Sequence, residues 1–125
     1  PGKTLRQLLA LPSGTHPKLA HHLGILIAEL HNKGVYFRSL HLGNVVQDEN
    51  GQLGLIDISD MVCSSAPLGR LKRSRNFQHL FRYERDVDNL RPYGDGFIEG
   101  YVANLPDNVS DHFRRHLSRL FEQIT

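Results

Sequence analysis

A single cysteine, Cys63, in a chain of 125 residues leaves no partner for an internal disulfide and no set of thiols for a metal framework, which fits a reducing compartment. No apolar run approaches the ~18 residues of a membrane span, and the amino end lacks a basic start followed by a short greasy core and a small-residue cleavage site. Neither sign of charge dominates: 15 Lys and Arg against 13 Asp and Glu give a formal +2, a mild leaning toward anionic partners that the 8 His would strengthen in acid. Internal repeats and low-complexity tracts are missing too. With 39% hydrophobic and 22% charged residues, the composition is that of an ordinary globular chain. The length suits one domain spanning residues 1–125.

The apolar pattern predicts a helical domain with a small β element. Thr4 caps a short helix carrying Leu5, Leu8 and Leu9, which Pro12-Ser13-Gly14 stops. Pro17 suits a first helical turn, and Leu19, Leu23, Ile27 and Leu30 follow at helical spacing until Lys33-Gly34. Gly24, inside that helix, signals close packing. Val35-Tyr36-Phe37 reads as a short strand. Val45–Gln47 and Leu53–Ile56 flank an Asn50-Gly51 turn and form a hairpin. A basic segment at Arg70, Lys72, Arg73 and Arg75 precedes a helical pattern resuming at Phe77, Leu80 and Phe81. Two more helices are expected, one through Phe97, Ile98, Tyr101 and Val102, and one from Ser110 with Phe113, Leu117, Leu120, Phe121 and Ile124 on its apolar face. The fold class is therefore α+β, mainly α.

The segment Phe37-Arg38-Ser39-Leu40-His41-Leu42-Gly43-Asn44, followed twelve residues on by Ile56-Asp57-Ile58-Ser59, carries the chemistry. An antiparallel hairpin with a short turn brings Asn44, at the entry of its first strand, close to Asp57, just past its second. An amide oxygen and a carboxylate are the hard donors that Mg²⁺ takes when it keeps several waters and binds a nucleotide.

This segment resembles the catalytic centre of the protein-kinase-like superfamily. Arg38, Leu40, Asn44 and Asp57 match the pattern H-R-D-L-K-P-x-N followed by a D, while His41 and Gly43 resemble the H-x-D-x-H-x-x-N of the aminoglycoside phosphotransferase-like branch. Leu30-His31-Asn32-Lys33-Gly34 resembles the L-H-x-x-G seen before that loop. Within the superfamily the chain is most similar to the bacterial lipopolysaccharide kinases. The resemblance implies the C-terminal lobe of a kinase-like fold, ATP and Mg²⁺ as cofactors, and Asn44 and Asp57 as ligands of nucleotide-bound metal. It places His41 near the transferring phosphate and gives Arg38 the task of steadying the loop. It further implies a nucleotide and a hydroxyl-bearing anionic acceptor as partners, the latter drawn by Arg70, Lys72, Arg73 and Arg75. Nucleic acid is disfavoured, since no aromatics interleave with those cations. The location implied is the cytoplasm, at the inner face of the membrane.

Two departures qualify the resemblance. Ser39 stands where active kinases carry the Asp that accepts the substrate proton, and a serine hydroxyl is a poor base, so transfer is expected to be impaired. No Gly-rich loop over the phosphates and no strand Lys are present, so the amino-terminal lobe is absent from this sequence. The start at Pro1, in mid-pattern, reads as a cut near the hinge. The alternatives are a pseudokinase-like module binding an anionic partner, and a helical interaction domain with a coincidental motif. Asp60 reads as a solvated loop residue, Arg82, Glu84, Arg85 and Asp86 as a surface ion-pair face, and His112 and His116 as surface histidines.

Overall fold

The computed structural model describes residues 2–122. Pro1, on which the reading of the chain start rested, and Ile124 of the last apolar face lie outside them. The chain opens with β1 (Lys3–Thr4) and α1 (Leu5–Leu9). Thr4 closes a full capping box: its hydroxyl accepts from the Gln7 N–H at 3.2 Å, and the Gln7 side chain accepts from the Thr4 N–H at 3.0 Å. Helix α2 (His16–Asn32) follows, with Pro17 in its first turn and Leu19, Ala20, Leu23, Ile27 and Ala28 turned into the core. It ends as expected at Lys33 and Gly34, whose φ of 82° is easy only for glycine.

Gly24 explains how α2 meets α5 (Gly94–Val102). A methyl group built on Gly24 would lie 2.2 Å from the Phe97 carbonyl oxygen, and one on Gly100 would lie 2.1 Å from that of His21. Each glycine admits the other helix's backbone, so the two helices approach more closely than any side chain would allow.

The hairpin is also present. Strands β3 (Val45–Gln47) and β4 (Leu53–Leu55) pair antiparallel with Val45 opposite Leu55, and β1 adds to the free edge of β3. The Asp48 carboxylate accepts from the Asn50 and Gln52 N–H groups, both at 2.9 Å, and shapes the exposed tip. The sequence reading missed β5 (Met61–Cys63), which pairs with β2 (Val35–Phe37) in the register Phe37 to Met61 and Val35 to Cys63. That pairing draws the two ends of the 38–60 segment together at a neck, with the hairpin held inside it.

Three boundaries differ from expectation. Helix α3 (Arg70–Leu80) absorbs the basic segment as its first turns; it is followed by α4 (Glu84–Leu90) and a short 3₁₀ turn at Arg91–Tyr93. Helix α6 (Asp107–Glu122) starts three residues before Ser110, directly after Pro106. Phe77 of α3, Phe81 just past its end, Phe97 and Tyr101 of α5, and Phe113 and Phe121 of α6 form an aromatic core, with Phe77 and Tyr101 centroids 4.7 Å apart. This layer is the floor on which β2 and the following loop rest.

Candidate functional site

Phe37, at the head of the loop, is completely buried, and the Asn76 side chain of α3 grips its backbone twice. The Asn76 amide donates to the Phe37 carbonyl at 2.7 Å, and its oxygen accepts from the Phe37 N–H at 3.4 Å. Leu40 and Leu42 are buried beneath the loop, so the intervening polar residues are turned outward. Arg38 is exposed, and the loop is steadied at its carbonyl, which accepts from Arg82, rather than through its guanidinium, which has no hydrogen bond among the described residues.

Ser39 is held at both ends. Its carbonyl accepts from the Asn44 amide at 2.7 Å, and its hydroxyl donates to the Asp60 carboxylate. Asn44 is buried and its carbonyl accepts from the Ile56 N–H at 3.0 Å, which sets Asp57 one residue beyond the point of contact. Asp57 is exposed and has a φ of 56°, in the left-handed region that residues other than glycine seldom occupy and that recurs at functional sites. The Asn44 Oδ1 accepts no hydrogen bond among the described residues, since the amide nitrogen carries the structural contact.

His41 is half-buried, and its Nδ1 receives two donors, the Gly43 N–H at 3.0 Å and the Arg6 guanidinium at 3.1 Å. Two donors on one nitrogen define a neutral ring whose hydrogen is on Nε2. Burial lowers the His41 pKa below the ordinary range, and the charges of Arg6 and Arg82 push the same way. Arg6 is itself clamped by Asp86, both contacts at 2.8 Å, and its guanidinium lies 4.9 Å from the centre of the Tyr83 ring. Arg82, Glu84 and Arg85 are exposed as expected, but Asp86 is only 1% exposed, which corrects its reading as part of a surface face: its partner comes from α1, 80 positions away, beyond the reach of helical spacing.

The basic segment divides. Arg70, Lys72 and Arg75 are exposed on α3, and Arg70 lies beside His112 of α6. Arg73 is 5% exposed and is no surface cation: it donates to the Leu68 carbonyl at 2.7 Å, to the Tyr101 hydroxyl at 3.0 Å and to Asn32 Oδ1 at 3.0 Å. These acceptors lie on the inner side of α3, where helical periodicity places every third or fourth residue. Tyr101 in turn meets His31 Nδ1 at 2.7 Å, and His31 Nε2 meets Asn76 Oδ1 at 3.0 Å. Burial pushes His31 down to about 4 and Tyr101 up to about 12, so both are neutral where the protein folds.

Asp60 corrects the expectation of a solvated loop residue. It is half-buried just before β5, and its second oxygen, Oδ1, is buried with no hydrogen-bond partner among the described residues. His112 and His116 are half-buried with stacked rings 6.0 Å apart. No group of three or more His, Cys, Asp or Glu side chains gathers as a metal cluster among the described residues. Sequence reasoning missed Arg6, Asn76, Arg82 and Asp86, none of which lies in a recognisable motif.

Fold and loop together define the helical lobe of a kinase-like fold, mainly α with small antiparallel sheets. One solved structure with this architecture is "WaaP in complex with acyl carrier protein", at a TM-score of 0.72 and 15% identity over 99% of this chain. The chain spans 58% of that neighbour's length. No protein-family model and no curated protein matches it. No described helix is long and apolar enough to cross a membrane.

Proposed function

We propose that this lobe belongs to an ATP-dependent phosphotransferase that acts on the hydroxyl of an anionic acceptor, a lipopolysaccharide core sugar being the preferred one. The observation that carries the reading is the placement of Asn44 and Asp57 on neighbouring ends of one hairpin, one with an amide oxygen that accepts no hydrogen bond among the described residues and the other in left-handed backbone. Two hard oxygen donors suit Mg²⁺, which needs few protein ligands when a triphosphate supplies the rest. Mg²⁺ held by Asn44 and Asp57 would neutralise charge on the phosphates of the nucleotide.

The remaining residues take roles that follow from their geometry. His41, neutral and hydrogen-bearing on Nε2, offers a donor to a phosphate oxygen without adding a formal charge. Exposed Arg70, Lys72 and Arg75 draw an anionic acceptor through long-range attraction. The acceptor class rests on the loop's resemblance to the lipopolysaccharide kinases, and the fold shared with the WaaP structure supports it. The Ser39 substitution keeps a second reading in play, a non-catalytic module that binds an anionic partner through the same cations.

The test is binding of ATP in the presence and absence of Mg²⁺, by calorimetric titration, to the polypeptide that carries this sequence. Mg²⁺-dependent binding that Asp57→Ala weakens at least about tenfold supports the kinase reading, a factor of ten being about 1.4 kcal/mol. Failure to bind ATP in Mg²⁺, with salt-sensitive retention of an acidic ligand, favours the binding module.

A further inference from the structure

Resting on the kinase reading, we infer that Asp60 supplies the carboxylate that the Ser39 position lacks, and that Ser39 relays the acceptor's proton to it. Three observations converge. The β2–β5 pairing places Asp60, immediately before Met61, across from Arg38 and Ser39, immediately after Phe37. The Ser39 hydroxyl donates its hydrogen to Asp60 Oδ2, which leaves the lone pairs of Oγ to receive a hydrogen bond from another hydroxyl. Asn44 fixes the same residue through its carbonyl, so Ser39 cannot shift without disturbing the Asn44–Asp57 pair.

Asp60 is built for a task beyond packing. Its Oδ1 is buried with no hydrogen-bond partner among the described residues, and such groups are rare in folded proteins. A hydrophobic or amide residue would fill the same place without a charge. With a nucleoside triphosphate as phosphoryl donor, the step balances. The acceptor oxygen attacks the terminal phosphorus as its O–H bond breaks, and its proton passes to Ser39 Oγ while the Ser39 proton passes to Asp60. The bond from that phosphorus to the bridging oxygen breaks, and its electron pair leaves on the nucleoside diphosphate. Ser39 ends as it began, and Asp60 ends as a carboxylic acid. The base is thus moved one hydrogen bond outward, from position 39 to a residue 21 positions further along the chain.

The experiment measures phosphate transfer from γ-labelled Mg-ATP to dephosphorylated lipopolysaccharide core oligosaccharide, alongside Mg-ATP affinity, in the full polypeptide. Asp60→Asn is expected to lower kcat about 100-fold or more, in the range of a lost general base, with the affinity for Mg-ATP within about twofold. Ser39→Ala falls likewise, whereas Ser39→Thr, which keeps the hydroxyl, stays within about tenfold of the parent. Ser39→Asp introduced into Asp60→Asn restores at least about tenfold, because the carboxylate then contacts the acceptor directly. Glu49→Gln at the hairpin tip leaves the rate unchanged. If Asp60→Asn proves unfolded by circular dichroism, the comparison of Ser39→Ala with Ser39→Thr decides. Transfer that survives Asp60→Asn, or a Ser39→Ala variant as fast as the parent, overturns the relay and leaves the kinase reading standing. Mg-ATP bound without any transfer overturns the relay, and no Mg-ATP binding by the parent overturns both.

Discussion

Two polar assemblies meet at Phe37, and they are built on opposite terms. Behind it, Arg73, Tyr101, His31 and Asn76 form a buried chain in which every side chain bonds a neighbour and the last grips the Phe37 backbone. In front of it, the Ser39 site leaves capacity unused among the described residues: an amide oxygen on Asn44 and a carboxylate oxygen on Asp60 that accept no hydrogen bond there, and an exposed carboxylate on Asp57. Saturation makes the first assembly rigid and chemically inert. On the proposed reading, spare capacity leaves the second one open to a ligand, while the first holds the loop in place.

Removing one member of the saturated chain has the largest expected effect. Arg73→Ala strands the Leu68 carbonyl and the Asn32 oxygen and leaves the Tyr101 hydroxyl with His31 alone, and costs about 3–5 kcal/mol of folding stability by urea unfolding. Arg75→Ala, two residues on and exposed, stays within about 0.5 kcal/mol. Equal losses from the two substitutions would break the contrast between an inward and an outward arginine.

Acid attacks the same assembly. The folded His31 takes a proton near pH 4, whereas an unfolded histidine takes one near its ordinary value, about 6.5. Between those pH values the unfolded chain holds more protons, so stability that is full above pH 6.5 drains away as the pH falls toward 4. The loss from His31 is on the order of 3 kcal/mol, and His31→Gln is expected to flatten the slope of stability against pH in that window. Burial lowers His41 and His79 as well, so those residues add to the slope in the same direction.

The smallest effect is the most informative about the site. Asp57→Gly removes a carboxylate and relieves left-handed backbone, so stability is expected to rise by about 1 kcal/mol while Mg²⁺-dependent nucleotide binding is lost. A gain in stability with loss of binding is the signature of a residue retained for function. A variant that is less stable and still binds would place Asp57 among the structural residues instead.

The parts of this fold that local chemistry dictates were legible in the sequence. Thr4 caps, Gly34 terminates, Asn50-Gly51 turns, and Gly24 marks a close helix contact. The approach of Asn44 to Ile56, the residue before Asp57, followed from the hairpin's strand geometry. What stayed hidden depends on distant partners. Strand β5 carries only three residues and gains its identity from β2. Arg73 and Arg75 are alike in the sequence, and only the positions of Tyr101 and Asn32 decide which turns inward. Asp60 likewise reads as loop until the neck between β2 and β5 closes and brings it to Ser39.

The same neck has a practical use. Because β2 and β5 shut the 38–60 segment at its base, and the Asp48–Gly51 turn projects from the far tip with its own internal bonds, the tip is mechanically insulated from the neck. A fluorophore or a short epitope grafted at Glu49 would therefore report on this lobe without disturbing the proposed site at its root.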